Sequence, residues 1–553
     1  MGAGKLSSVY VGDIDNVSSV SDISKISGVE LSAFGNPLVV RLSIANDGDS
    51  WPPTVRMLSG TGLIDWGDGT PIESITTVPL SPHTYATAGT YDVTVTPVEG
   101  SLTRISGPDT QVTEVVAFGD CGQLLFSNFS SLVTIPLDGY LDLTGITFFQ
   151  KFLFQNCPSF VGPTSMAGYA SLPLGFNLTS LFRQATLFNR PGLNDLDTSS
   201  VTNMSSMFSE ATAFNQPLNS WVVSSVTNMF QMFSNATAFD QPLNSWNVSS
   251  VTDMSRMFYT ATSFNQPLNS WNVSSVTDMS RMFFSASAFD QDISSWVVSS
   301  VTDMQAMFFD ADAFDQPLNS WNVSSVTDMR NMFARTAAFN QDISGWNVSS
   351  VTDMYRMFYN ADAFDQPLNS WVVSSVTNMR EMFSLAAAFN QDISSWDVSS
   401  VTTMNNMFSV ARAFNQDISG WVVSSVTDME GMFFDADAFN QDISSWDVSG
   451  VTTMYRMFSS ALVFDQDLGA WTFKDNLIMI EIFGGSAMSD ANVALCLEGW
   501  DKVGQGTGVN ATDMFGVTAR TLSESTYPNA KTAYDNLIST YSWDFTGSFN
   551  WVA

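Results

Sequence analysis

The 553-residue sequence holds one histidine, His83, and three cysteines, Cys121, Cys157 and Cys496. A single histidine excludes multi-histidine metal centres and His-based triads from any repeated unit. The cysteines stand far apart and form no C-x-x-C pair. They read as buried thiols, two of which could pair, and not as a metal site. Cations are scarce too: Lys and Arg total 20 against 54 Asp and Glu, a formal net charge of −34. A field of that sign repels nucleic acid and anionic membranes, so no nucleic-acid partner is expected. No apolar run approaches the roughly 18 residues of a spanning helix, so no membrane insertion is expected. Met1–Gly28 lacks a basic stretch followed by an apolar one, so it does not read as a Sec signal peptide.

What is present in quantity is repetition. Tryptophan stands at 221, 246, 271, 296, 321, 346, 371, 396, 421, 446 and 471, at one constant interval, which marks eleven copies of one unit. A fixed period of this size predicts a repeat solenoid. In Ser250–Ala261, Val251, Met254, Met257, Phe258 and Ala261 fall at helical spacing. Ser250 with Asp253 imitates a capping box. Phe264–Trp271 is apolar at intervals and ends in turn residues. Each copy is therefore expected to be a short parallel strand plus a short helix, leucine-rich-repeat-like, over residues 181–475. Less regular spacing predicts an N-terminal cap with irregular repeats over 104–180 and a C-terminal cap over 476–553. Residues 1–30 read as an arm or linker.

Parallel stacking would place each residue above its own copy, roughly 4.8 Å away. Gln216, Gln241, Gln266, Gln291, Gln316, Gln341, Gln366, Gln391, Gln416, Gln441 and Gln466 then form an unbroken column, expected to bond amide to amide as a ladder. Outward columns of the strand face hold Asn215, Asp240, Asp290, Asp315 and Asp365, and beside them Asp292, Asp342, Asp392, Asp417 and Asp442. These are the candidate ligand-facing residues, and an acidic, uniform surface suits avidity for a repetitive ligand. A further column, Asp253, Asp278, Asp303, Asp328 and Asp353, stacks like charges. Helix N-termini would offset that repulsion. Calcium is the alternative, suggested also by Asp310 with Asp312 and Asp435 with Asp437, although no calcium-loop motif is present.

Ahead of the repeats, residues 31–103 alternate as half-buried strands do, in Leu38–Ile44 and Tyr91–Thr96. Between these lie Trp66-Gly67-Asp68-Gly69-Thr70 and His83-Thr84-Tyr85 followed by Gly89-Thr90-Tyr91. At these residues the segment resembles a PKD domain. The resemblance implies an all-β immunoglobulin-like sandwich that acts as a spacer or interaction module. Asp65, Asp68 and His83 then serve turns and packing.

The repeated pattern MFxxAxxFNQ[PD][LI]xxWxVSSVT[DN]M resembles the BspA-like leucine-rich-repeat surface proteins, the DUF285-type repeat. The resemblance implies surface-exposed, adhesive or host-interacting proteins, with similar arrays in viruses. A non-enzymatic structural or adhesive protein is expected, most simply a virus or phage particle component displayed on the virion surface. The alternative is a secreted bacterial adhesin at the cell surface. A glycan-acting β-solenoid enzyme is a remote third, because no insertion breaks the period to frame a cleft with paired carboxylates. Partners would be proteins of the assembly, which makes it multimeric, and a host surface glycan or receptor.

Overall fold

The computed structural model describes residues 38–51, 55–77, 80–97, 102–106, 109–117, 121–125, 128–134, 154–162, 178–502 and 505–553. The arm expected over residues 1–30 lies outside them. The chain divides into two units. Unit 1 runs to Val251 and includes Thr260–Gln266; unit 2 holds Thr252–Tyr259 and Pro267–Ala553.

Unit 1 contains β1 (Leu38–Ile44), β2 (Ser50–Trp51), β3 (Val55–Ser59), β4 (Gly62–Asp65), β5 (Glu73–Ile75), β6 (His83–Thr84), β7 (Gly89–Pro97), β8 (Leu102–Ser106), β9 (Val112–Ala117) and β10 (Cys121–Leu125). One sheet is antiparallel with order β5-β4-β7-β1-β9, and a second has order β10-β8-β3. Alternation builds the core: β1 buries Leu38, Val40, Leu42 and Ile44, and β7 buries Val93 and Val95. On the opposite face Arg41 lies between its strand neighbours, bonding Asp92 at 2.7 Å and also Glu114. In the turn after β4, Gly67 has φ 78°, and a Cβ there would meet the Asp92 carbonyl oxygen at 2.5 Å, so only glycine fits. The sequence boundary at residue 103 falls too early. β9 completes the first sheet and β10 pairs with β8, so this strand assembly extends to Leu125. The strand texture of Val112–Ala117 is legible in the sequence, but its pairing with the distant β1 is not.

The repeats stack in parallel, copy on copy, within each unit. The expected helix does not form. In Val301–Ala311 the N–H groups of Met304, Ala306, Phe308 and Asp310 donate to the carbonyls of Asp328, Arg330, Met332 and Ala334 in the next copy, at 2.8–3.2 Å. The alternate N–H groups, of Met307, Phe309 and Ala311, turn back three residues to Met304, Ala306 and Phe308. Ala306 and Asp310 are left-handed, φ 52° and 56°, as are Arg256 and Thr260 of the copy quoted above, φ 56° and 54°. A left-handed residue every fourth position ends helical winding. Tandem turns also repeat their apolar residues every three to four positions, which is why the pattern imitates a helix. Spacing decides between them. Equivalent rings of adjacent copies lie 5.7 Å apart at Phe308 and Phe333, whereas packed helices need about 8–10 Å between axes.

The expected strand is also misplaced. Phe264–Trp271 is not a strand; the parallel bridges fall instead on the Asp column, as at Asp253–Asp278 and Asp278–Asp303. Nor does that column cap helices. Its carboxylates close two-residue turns instead, Asp303 Oδ1 accepting from Gln305 N at 2.8 Å.

The core of each copy is the same set. Val301, Met304, Met307, Phe308, Ala311, Phe314, Leu318, Trp321 and Val323 are at most 3% exposed. Phe308 stacks on Phe314 at 4.1 Å, and Trp321 on Trp346 at 6.5 Å with the rings 3° apart. Each indole also donates across the stack, Trp321 Nε1 to the Ile293 carbonyl at 3.2 Å.

The repeat does not end at Trp471. Bridges continue from Thr453 to Ile478, Asn510 and Asp544. Trp500 donates to the Leu468 carbonyl, continuing the indole pattern, and Trp543 donates to the carbonyl of Gly506. Residues 476–553 thus continue the stack, enlarged by α1 (Asp490–Trp500) and α2 (Pro528–Tyr541), with β11 (Arg520–Ser523) between the helices pairing in parallel with β12 (Phe549–Val552). The inserted helices break the constant period, which is how the sequence conceals these coils. Ser489 caps α1 by accepting from Asn492 N.

Replacing Trp396 by Phe removes the indole donor to the Leu368 carbonyl. The variant is expected to lose about 1–3 kcal/mol of stability in chemical denaturation, the cost of leaving a buried acceptor unpaired. A loss of only a few tenths would show that the indole column is packing alone.

Candidate functional site

The polar columns are bonded to one another before they can meet a ligand. The glutamine column is not an amide ladder of glutamines. Gln316 Nε2 donates to Asp290 Oδ1 at 2.7 Å, and the backbone N–H of Asp315 donates to that same oxygen at 3.1 Å. Asn215, Asp240, Asp315 and Asp365 repeat this pair of bonds, accepting from Gln241, Gln266, Gln341 and Gln391 and from the N–H preceding each. Gln366, Gln416, Gln441 and Gln466 reach Asn340, Asn390, Asn415 and Asn440 in the same way, and Gln216 reaches Asn189. Gln291 is also engaged. A short side-chain oxygen at fixed height is the requirement, and only Asn and Asp supply it. Asn215, Asp240, Asp290, Asp315 and Asp365 are therefore half-buried struts between copies. In α1 the role passes to Asn492, whose Nδ2 donates to Asp465 at 2.9 Å.

Asp292, Asp342, Asp392, Asp417 and Asp442 are exposed. Each carboxylate accepts the N–H two residues on, at 2.9 Å, from Ser294, Ser344, Ser394, Ser419 and Ser444. Hydrogen bonds from the serine hold Asp292, Asp342, Asp392 and Asp417 below the ordinary carboxylate range. Asp303, half-buried in the bridged column, is raised instead. Burial is the main cause, and Asp328 and Asp278 add like charge. Arg330 relieves the next step, bonding Asp328 at 2.5 Å.

These columns belong to a known family. The family model described as "Mycoplasma protein of unknown function, DUF285" matches residues 176–259, 241–339, 277–396 and 386–495, more than half of the chain. The chain belongs to this family. Its DUF285 repeats, of the BspA-like kind, span residues 176–495. No curated protein matches the chain.

The aspartate pairs of the DUF285 repeats that suggested calcium face arginines. Arg335 Nε bonds Asp310 at 3.0 Å, and Arg412 reaches Asp435 and Asp437 at 3.1 and 3.5 Å. Among the described residues no three His, Cys, Asp or Glu side chains gather in a geometry that could hold a metal ion. Cys157 and Cys496 are buried thiols, each pushed up to about 12 by burial.

Before the repeats, the turn residues form a small cluster. Asp65 accepts the Gly67 N–H, and Asp68 accepts the Thr70 N–H and hydroxyl. His83 Nε2 lies 2.7 Å from Asp68, and its ring stacks on Trp66 at 4.4 Å. Burial pushes the Asp68 carboxyl up, but the bonds from Thr70 and His83 outweigh it and leave Asp68 below its ordinary range. Trp66 Nε1 in turn donates to Glu73 at 2.9 Å, beside a cleft of about 370 Å³ lined by Trp66, Glu73, Ser74 and His83. This contact set ties two turns together.

Two outcomes test the struts. Asn390→Ala strips the acceptor from Asn415 N and leaves Gln416 Nε2 only the Asn390 carbonyl; it is expected to cost about 1–3 kcal/mol, whereas Asn390→Asp should be near neutral in the same denaturation experiment. The pH dependence follows from the shifts. Carboxylates held low contribute stability above their unfolded value, lost as the pH falls below about 4, so acid unfolding should be steep there. Replacing Asp292, Asp342, Asp392 and Asp417 together by Asn should flatten it. Asp303 has the opposite sign: its raised folded value destabilises at neutral pH and is relieved on acidification. Asp303→Asn should gain from a few tenths to about 1 kcal/mol at pH 7, solvent screening limiting the effect.

Proposed function

We propose that the protein is a non-catalytic, adhesive or structural surface protein whose repeats form a leucine-rich-repeat-like solenoid behind a PKD-like, immunoglobulin-type spacer. The observation that carries this reading is the DUF285 repetition itself: the same polar side chains recur at one constant interval from Asn215 to Gln466, and stacking consumes most of them. Catalysis needs groups singled out from their copies, as paired carboxylates in a cleft are. Attachment needs only many equal contacts, which gain through avidity. The five-stranded antiparallel sheet, whose β1 buries alternate residues, supports the spacer reading.

Two placements fit this display. One is a fibre, spike or decoration on a virus or phage particle, attaching to a host glycan or receptor. The other is a cell-surface adhesin, which the family's description as a Mycoplasma protein favours. Immunogold labelling of the producing cells and of particles purified from them is expected to mark an outer surface. Label on particles selects the first placement and label on cell envelopes the second. Label confined to the cytoplasm overturns the proposal.

A further inference from the structure

The eleven copies agree at most positions and differ most widely at five, occupied in one copy by Gln305, Ala306, Phe309, Asp310 and Asp312. All five lie on the turns that bond to the next copy. Two of them, the Ala306 and Asp310 positions, are left-handed throughout. Across all eleven copies, only Gly431 is glycine at either of these two positions. Each L-residue there costs roughly 1 kcal/mol or more of backbone strain that glycine would relieve. Leu385 and the β-branched Val410 accept it too, at φ 63° and 59°. The backbone bonds between copies do not require side chains at these positions, yet the chain keeps them, and some also join adjacent copies, as Arg356 does with Glu381.

Their chemistry is not random. Between residues 201 and 471 the chain has eight arginines and no lysine, and all eight stand at the five divergent positions, as do all four tyrosines of that span. In unit 2 they form a connected patch. Arg356 lies over Tyr355 and Tyr359 at 5.0 and 4.8 Å. Arg356 and Arg380 converge on one carboxylate, Glu381, at 2.5 and 2.9 Å. Arg335 spends its Nε on Asp310 while its side chain stays 54% exposed.

We propose that this patch is where a second copy of the chain docks. Charge selects the occupant. Two chains of net charge −34 repel at long range. The Asn/Asp columns offer only carboxylates and amides, so a second copy meets no cation there. The divergent face carries both signs, with guanidinium donors left over from their own pairs, so the same patch can serve both partners of a two-fold interface. Tyrosine and arginine are also the side chains that anchor protein interfaces. Arginine lies over Tyr355, Tyr359 and Tyr455, and Tyr259 stacks on Phe284, so these rings offer a sugar less open face than free tyrosines would. This inference goes beyond the attachment reading and does not depend on it.

Sedimentation velocity of the full chain tests it, over concentrations from about 1 to about 100 µM, where weak pairing becomes visible. The native chain is expected to shift from monomer to dimer. Arg335→Gly with Arg356→Gly should weaken association at least tenfold while the thermal midpoint stays level or rises, because glycine suits both left-handed positions. Asp292→Asn with Asp342→Asn and Asp392→Asn, on the other face, should leave the dimer intact. A native chain that stays monomeric throughout overturns the proposal. So does a glycine variant that dimerises like the native chain, or loss of the dimer in the aspartate variant alone. Binding of the monomeric native chain to a glycan array through this patch would likewise overturn it in favour of a sugar.

Discussion

The repeats depend on one constraint: alternate backbone N–H groups have no acceptor in their own copy. Met304, Ala306, Phe308 and Asp310 are satisfied only by the copy that follows. A copy standing alone would leave those donors to solvent, and a copy of different outline would leave them unpaired in a buried seam. Close stacking is thus imposed by the backbone. The side chains obey it, with Phe on Phe, Trp on Trp and Met on Met at the spacing the backbone sets.

The polar columns follow from the same demand. Where the chain runs without a ladder of its own, side chains hold adjacent copies together. An Asn or Asp oxygen takes both the next N–H and the next glutamine amide, and Ser and Thr hydroxyls donate back to carbonyls, as Thr302 Oγ1 does to Thr277 at 3.3 Å. This explains how an acidic chain tolerates carboxylates in register. At the half-buried struts each receives donors, and at the exposed turns each is held by serine. The bridged column is where the arrangement is weakest, and there Asp303 is disfavoured as an anion while Arg330 neutralises Asp328.

Repetition also divides the surface into what stacking consumes and what it leaves over. Most repeated polar groups are consumed. The divergent turn positions are left over, and they gather the arginines and tyrosines at a cost in backbone strain. A surface built this way offers many equal contacts, which is what the proposed attachment role would use.

Much of this was written in the sequence. The period, the composition of the core columns and the restriction of one column to Asn or Asp are legible because each copy repeats the experiment on its neighbour. The strand texture of Leu38–Ile44 and the glycine turn at Gly67 are legible because alternation and positive φ leave local marks. Three things were not. The turns of Val301–Ala311 resemble a helix because both place apolar residues every three to four positions, and only the spacing between copies separates them. The glutamines looked like a ladder of their own because sequence gives columns but not the offset between them. The coils beyond Trp471 were hidden because inserted helices break the period while leaving the bridges intact. Periodicity is a property of one chain segment and survives in the sequence. Which donor meets which acceptor is a property of two segments brought together, and only the tertiary structure decides it.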